Sequence, residues 1–80
     1  MSTQDQNYLG IDVYTNTNKI YVKAQDQIRE VIIYDMTGKI VYQKNNINST
    51  EFEHTLFSKG LFIVKIIKSK GEAFTKKVLL

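Results

Sequence analysis

The stretch that decides the fold reads IREVIIYDMTGKIVYQK and spans residues 28–44. Two apolar runs in this stretch are separated by Asp35-Met36-Thr37-Gly38-Lys39. Both runs are rich in β-branched and aromatic residues, which favour strands. Glycine adopts positive φ without steric cost, so Gly38 permits a tight hairpin between the runs. The stretch therefore predicts two antiparallel strands joined by a hairpin, with Asp35 and Gly38 as structural turn residues.

The same pattern continues in both directions from this hairpin. Ile, Val and Thr make up 23 of the 80 residues, and no stretch keeps the apolar spacing of a capped amphipathic helix. Short apolar runs punctuated by Gly, Asn, Ser and Asp are typical of an all-β sandwich or barrel. We predict seven strands, at Leu9–Tyr14, Lys19–Ala24, Ile28–Met36, Lys39–Lys44, Glu51–Leu56, Leu61–Ser69 and Glu72–Leu79.

Two further glycines are predicted at turns. Gly71 fits a second hairpin, between the last two strands, and Gly60 fits a bulge or tight bend. The third strand is apolar on both faces at Val31–Tyr34, which indicates a central strand partly covered on both sides. In the last strand Lys76 shares the face of Val78. Either a bulge interrupts that strand, or the lysine reaches solvent from a sheet edge.

Composition limits the class of protein. Eighty residues make a single domain, the absence of Cys excludes disulfides, and one His excludes a multi-histidine metal site. A net charge of +3 falls short of a basic patch, so no nucleic-acid partner is predicted. The longest apolar run, Leu61–Val64, is too short to span a membrane, and Met1–Asn7 lacks a signal-peptide core. Residues 1–8 are predicted as a flexible segment and residues 9–80 as the folded domain.

His54 is the one residue around which a nucleophilic site could be imagined. Ser58 and Asp35 could complete a triad with it, but no nucleophile elbow surrounds the serine. Its alternation with Phe52 and Leu56 instead predicts a half-buried packing residue.

The carboxylates give no specific site either. Glu51 and Glu53 would lie about 7 Å apart on one face of a strand, a spacing compatible with hydrolysis by paired carboxylates. An outward acidic pair on an edge strand also protects that edge from pairing. Asp12, Asp26 and Asp35 lack the spacing of a calcium loop. We predict that the protein is not an enzyme and carries no metal or cofactor.

The five tyrosines suggest a binding function. Tyr21 and Tyr42 are predicted as outward-facing rings on a sheet, where they could stack against sugars. Tyrosine also simply favours half-buried strand positions. Together with Lys19, Lys23 and Lys44 the rings could form a platform for single-stranded nucleic acid, but the aromatic motifs of such modules are absent.

Five motifs follow one another along the chain in the order Val13-Tyr14, Lys19–Val22, Val31–Tyr42, Leu56–Ile66 and Phe74–Leu79. In this order the chain resembles the C-terminal sorting domain of substrates of the type IX (Por) secretion system of Bacteroidetes-type bacteria. Those domains share a "v-x-i-y-D-x-x-G-k" hairpin, an "l-x-k-G-x-y-x-v-k" strand entry and a terminal strand with "t-K-K-v". The resemblance covers the chain from about Ile11 onward.

This resemblance implies a fold and a role. The fold is a small immunoglobulin-like β-sandwich of about seven antiparallel strands. The role is that of a non-catalytic targeting module, which follows a passenger domain and directs it across the outer membrane. The implied partners are the type IX machinery and its sortase-like processing component. The parent protein would carry the signal peptide, cross the periplasm, and be secreted or held at the cell surface.

The resemblance also implies that the terminal segment is the recognition feature. We predict Lys76, Lys77, Val78 and Leu79 as recognition residues, because an exposed terminal strand can pair with a receptor and lysines complement an acidic surface. The two lysines could equally be a solvated pair that protects a sheet edge. The alternative function is an immunoglobulin-like binding or adhesion module, or a carbohydrate-binding accessory module.

The family pattern usually has an Asn-Pro turn after the first strand. This chain departs from that pattern at Tyr14–Asn18, which contains no proline. Asn16 and Asn18 are predicted to make this turn instead, because asparagine tolerates the left-handed region of φ.

Overall fold

The computed structural model describes residues 10–80, which form an all-β structure. Residues 1–8 and Leu9, the predicted flexible segment and the start of the first predicted strand, lie outside the described residues. The strands are β1 (Ile11–Asn16), β2 (Lys19–Tyr34), β3 (Ile40–Lys44), β4 (Ser49–Thr55), β5 (Leu61–Lys68) and β6 (Ala73–Leu79). The predicted all-β class is confirmed. Within residues 10–80 no helix is long and apolar enough to cross a membrane.

Residues 10–80 contain six strands where seven are predicted, because the second and third predicted strands form one continuous strand. This strand, β2, has 16 residues and includes the polar segment 25–27, which reads as a loop in the sequence. The backbone of that segment stays extended because neighbours on both sides satisfy it. Gln25 donates its N–H to the carbonyl of Gly10 at 2.9 Å, and the carbonyl of Gln27 accepts from Ser69 at 3.0 Å.

The long strand β2 is shared by two layers that face each other. Its first half pairs with β1 on one side and with β4 on the other, and its second half pairs in the same way with β3 and β5. β6 then adds to β5, and all pairs are antiparallel. The layers are therefore β1-β2-β4 and β3-β2-β5-β6, which together make a β-sandwich with the apolar core between them.

The core-facing positions of β2 change from even to odd numbers along the strand. The buried side chains of β2 that contribute to the core are Ile20, Val22, Ile28, Val31 and Ile33. The change follows from a register shift against β5 between Ile28 and Glu30, where β2 has one extra residue. A bulge of this kind reverses the inward face of a strand. Ile32 lies on the outer face but is only 8% exposed, in agreement with the prediction that the centre of β2 is partly covered on both sides.

Hairpins of one type join β2 to β3 and β5 to β6. In the first, Gly38 donates its N–H to the carbonyl of Asp35 at 3.0 Å, and in the second, Gly71 donates to Lys68 at 2.8 Å. The predicted turn residues Gly38, Gly60 and Gly71 have φ values of 89°, 124° and 100°. These values lie in the region where other residues are strained, so the three turns depend on glycine.

The turn between β1 and β2 contains a different residue at positive φ from those predicted. Asn16 pairs directly with Lys19, so the turn has only two central residues, and the first of these, Thr17, has a φ of 59°. Two-residue hairpin turns need a positive φ at the first central position to match the twist of the strands. The hairpin register thus places Thr17 there, although asparagine would tolerate this conformation better.

The connections gather at two ends of the sandwich. At the end that we call the bend end, β2 turns from one layer to the other, beside the loop 45–48 and the hairpin 69–72. At the opposite end, the carboxyl end, Gly60 and Leu80 exchange two backbone hydrogen bonds of 3.1 and 2.9 Å. The last residue is therefore held in the sheet.

Candidate functional site

The four predicted recognition residues divide between the two faces of β6. Its register with β5 is unbroken, from Leu79 opposite Leu61 to Ala73 opposite Ile67, so the side chains alternate strictly. Val78 and Lys76 point inward, and Val78 belongs to the core at 6% exposure. Lys77 and Leu79 point outward and are exposed. Only these last two are available to a partner in the folded domain.

Lys76 crosses from one layer to the other. Its Nζ donates a partly buried hydrogen bond of 2.9 Å to the carbonyl oxygen of Val13 in β1. The unbroken register excludes the predicted bulge. The alternative prediction, that the lysine reaches solvent from the sheet edge, is also wrong, because its ammonium group binds a carbonyl of the other layer. The ammonium group satisfies a carbonyl on the free edge of β1, and an inward-pointing charge of this kind discourages another strand from adding there.

The outer face of the four-stranded layer is apolar near the carboxyl end. We call it the terminal face, and its side chains are Tyr34, Ile40, Leu61, Ile63, Lys77 and Leu79. Ile40, Tyr34, Ile63 and Lys77 stand in one row across the four strands. Leu79 is 67% exposed and Leu61, its direct partner, is 41% exposed. Contiguous exposed apolar side chains of this kind mark interaction surfaces.

The outer face of the three-stranded layer carries two stacked tyrosines, Tyr14 and Tyr21. They are direct cross-strand partners, with ring centroids 5.1 Å apart and ring planes at 8°. Lys19 Nζ lies 5.8 Å from the Tyr21 centroid and 3.6 Å from Glu53 Oε1. Sequence reasoning identified Tyr21 but not its partner. The two-residue turn could have revealed it, because a hairpin that pairs Asn16 with Lys19 must also pair Tyr14 with Tyr21.

The prediction that Tyr42 faces outward is wrong. A register shift between Ile33 and Tyr34 places Tyr42 opposite Ile33, on the core side of β3. The ring of Tyr42 stacks on His54 at a centroid distance of 3.6 Å and lies 6.2 Å from Phe52. Tyr21 and Tyr42 therefore belong to different faces and cannot form one binding platform.

His54 is a packing residue, as predicted. It lies opposite the buried Ile20 and fills the space under Tyr42. Burial lowers the pKa of His54 below its usual value of 6.5, because the charged imidazolium is poorly solvated there. Asp35, the acid of the imagined triad, is engaged within its own turn. Its Oδ1 accepts from the hydroxyl of Thr37 at 2.6 Å, from the Thr37 N–H at 2.9 Å and from the Lys39 N–H at 3.1 Å. These hydrogen bonds lower the pKa of Asp35, and the bond from the Thr37 hydroxyl contributes most to this shift.

The remaining carboxylates are dispersed. Asp12 lies on β1, Asp26 at the bend of β2 and Asp35 in the β2–β3 hairpin, so the structure does not bring these three together. Glu51 and Glu53 both point outward from β4. Within the part of the chain that the structure describes, no group of three or more His, Asp or Glu side chains could hold a metal ion.

Sequence reasoning missed an ion cluster at the bend end. Lys68 is only 4% exposed, and its Nζ lies 3.0 Å from Asp26 Oδ2 and 3.1 Å from Glu72 Oε1. The hydrogen bond with Lys68 lowers the pKa of Asp26, and hydrogen bonds with Asp26 and Glu72 raise that of Lys68. The sequence does contain a signal for this cluster. Lys68 alternates with the inward-facing Val64 and Ile66, and an acidic residue, Glu72, follows it four positions later.

A comparison with solved structures identifies the type of sandwich. A DUF3244 family protein from Bacteroides vulgatus ATCC 8482, described as having an immunoglobulin-like β-sandwich fold, superimposes with a TM-score of 0.75 at 18% identity. The match covers 92% of this chain and 87% of that one. At this identity the likeness shows the fold alone, and the chain accordingly has an immunoglobulin-like β-sandwich fold. A weaker match, at a TM-score of 0.49 and 19% identity, is CopC from Methylosinus trichosporium OB3b, over 82% of this chain and 76% of that one.

Sequence similarity links the chain to one family. No curated protein matches the chain. The sequence model of one family, described as "Domain of unknown function (DUF8694)", matches residues 1–80. Because this match spans the whole sequence, the chain belongs to the DUF8694 family.

Proposed function

We propose that this domain is a non-catalytic targeting module, which directs a passenger protein through the type IX secretion system to the cell exterior. The proposal starts from the motif order that resembles the C-terminal sorting domains of that system. The resemblance implies an immunoglobulin-like sandwich, and the fold found here is of that kind. Lys77 and Leu79 of the terminal strand would be the recognition residues that contact the secretion machinery.

The observation that carries the proposal is the exposure of the terminal strand on an apolar surface. β6 is an edge strand, its outward residues Lys77 and Leu79 are exposed, and Leu61 and Ile63 continue the apolar surface on β5. A receptor that docks on this face would bury its apolar side chains, and the positive charge of Lys77 complements an acidic rim on the receptor.

The fold also dictates how the role of β6 has to be tested. Deletion of residues 75–80 would remove Val78 from the core and Lys76 from its bond to Val13. A passenger retained after such a deletion could be retained merely because the domain no longer folds. Substitutions of outward side chains avoid this ambiguity, since they leave the core face of β6 unchanged.

The experiment is a secretion assay in a bacterium that has the type IX machinery. A periplasmic fluorescent reporter is fused to residues 1–80, and its location is compared with that of a fusion carrying Lys77→Glu and Leu79→Asp. The matched control is Lys23→Glu, an exposed lysine on the outer face of the other layer. Each purified domain is checked for folding by urea denaturation.

The proposal requires export of the unmodified fusion and of the control, and retention of the double variant in the periplasm. Retention of the unmodified fusion, with its domain folded, would exclude the targeting role. Normal export of the double variant would exclude the recognition role of Lys77 and Leu79.

A further inference from the structure

The outer face of the β1-β2-β4 layer has features that the targeting role does not use. Tyr14 and Tyr21 stack there, on the side of the sheet that faces away from the core. Tyr14 is still 40% exposed. Tyrosine side chains bury apolar area at low entropic cost and keep a polar hydroxyl, which makes them frequent in binding surfaces.

A concavity of about 560 Å³ lies beside these rings. Its lining includes Tyr14 of β1, Tyr21 of β2 and the polar residues Ser49, Glu51 and Glu53 of β4. Lys23, on the same face of β2 as Tyr21 and directly opposite Glu51, also lines it. The concavity thus has an aromatic side and a side rich in hydrogen-bond acceptors.

We propose that this concavity is a binding site for a neutral polysaccharide chain. The apolar C–H face of a pyranose ring packs against an aromatic ring, and Tyr14, which is 40% exposed, offers one. Sugar hydroxyls donate to carboxylates, as Glu51 and Glu53 offer, and accept from an ammonium group such as that of Lys23. Because the groove is open along the sheet surface, it suits an internal stretch of a chain rather than an enclosed monosaccharide.

The charge on this face favours a neutral ligand. The outward charged groups are Asp12, Glu51 and Glu53 against Lys19 and Lys23, and Lys19 is already paired with Glu53 at 3.6 Å. A phosphate or sulfate group would meet the carboxylates of Glu51 and Glu53 and be repelled. Nucleic acids and sulfated polysaccharides are therefore disfavoured, since their binding needs an excess of cationic groups.

The competing explanation is that the two tyrosines only stabilise the β1–β2 hairpin, as cross-strand aromatic pairs do. The carboxylates distinguish the two explanations. A purely structural pair has no use for Glu51, whereas a sugar site requires it as an acceptor. The site is also independent of the targeting role, because the terminal face lies on the other layer of the sandwich.

The test is isothermal titration calorimetry of the full chain with three neutral probes, namely cellohexaose, xylohexaose and mannohexaose. A sulfated heparin hexasaccharide is the anionic probe. The variants are Tyr14→Ala and Glu51→Gln, and the matched control is Tyr34→Ala, a tyrosine on the outer face of the other layer. Urea denaturation establishes that each variant remains folded.

We expect saturable binding of at least one neutral probe, weakened about tenfold or more in Tyr14→Ala and in Glu51→Gln and unchanged in Tyr34→Ala. Absence of heat with all three neutral probes would overturn the proposal. Binding of the sulfated probe alone would also overturn it, as would neutral binding that survives in both Tyr14→Ala and Glu51→Gln.

Discussion

The two lateral sides of the sandwich are closed in different ways. On one side β1 faces β6, their Cα atoms come within 8 Å of each other, and Lys76 spans the gap to the carbonyl of Val13. On the other side β3 faces β4, their Cα atoms stay further apart, and the ring of Tyr42 fills the gap against Phe52 and His54. We refer to these as the lysine side and the aromatic side.

The width of each gap matches the reach of the side chain that spans it. Where the backbones are close, a flexible lysine stem can deliver one donor to an edge carbonyl. Where they are far apart, only rings supply enough contact area to exclude water. The lysine side therefore adds a polar contact to its apolar packing, whereas the aromatic side is closed by the buried area of its rings.

The largest effect is expected on the aromatic side. Tyr42→Ala removes the ring between the layers and should lower the free energy of unfolding by about 2–3 kcal/mol, because a half-buried ring is replaced by a cavity. The control is Tyr34→Ala, which removes a tyrosine from the outer face. Urea denaturation gives both values. An equal loss in the two variants would contradict the assignment of Tyr42 to the closing contact.

A smaller effect is expected on the lysine side. Lys76→Met keeps the stem but leaves the carbonyl of Val13 without its donor, which should cost about 1–2 kcal/mol in urea denaturation. Lys77→Met, which changes the outward neighbour on the same strand, should cost much less. Removal of the inward charge should also expose the edge of β1 to pairing. Size-exclusion chromatography should then show concentration-dependent association of Lys76→Met and not of Lys77→Met.

The contribution of the aromatic side to stability should also depend on pH, because this side contains His54. The carbonyl of Val13, which accepts the hydrogen bond on the lysine side, does not titrate. The pKa of His54 is lowered from 6.5 in the folded state, so below pH 6.5 the unfolded chain takes up the proton more readily than the folded chain. Stability should fall as the pH drops through this range and level off below the folded pKa. His54→Phe keeps a ring under Tyr42 and should abolish this part of the pH dependence. A fall of the same size in both proteins would show that another group causes it.

The smallest effect at neutral pH is expected at Lys68, the second inward lysine. Lys68→Met should change neutral stability little, because loss of the ion pairs is offset by relief of the burial of a charge. In acid the two proteins should diverge. The lowered pKa of Asp26 means that its stabilising contribution is present above 3.8 and lost as the pH falls through the folded value. The raised pKa of Lys68 means that its contribution is present below 10.5 and lost above the folded value.

This prediction is checked by urea denaturation of both proteins across the pH range. The stability of the wild type relative to that of Lys68→Met should fall in strong acid and in strong alkali, so that the variant becomes the more stable protein there. A difference between the two proteins that stays constant across the acid range would mean that Asp26 is not linked to Lys68 in solution.

Local patterns in the sequence predicted most of the strands and both glycine hairpins. Alternation, β-branched residues and Gly38 and Gly71 act over a few neighbouring residues, so they can be read without knowing the fold. The same alternation predicted the inward position of His54. The candidate sites were predicted less well. Tyr21 was identified as outward-facing, but Tyr42 was assigned to the wrong face because a register shift in β3 leaves no trace in the sequence.

By itself, then, the sequence determined that the protein is all-β, where its hairpins lie and which side chains are apolar enough for a core. Only the tertiary structure decided that segment 25–27 continues one strand between two layers, because hydrogen bonds with the carbonyl of Gly10 and the N–H of Ser69 hold it there. It also decided that Lys76 bonds to Val13 and Lys68 to Asp26. These contacts join residues far apart in the chain, and their partners are fixed by how β2 folds over, which no local preference encodes.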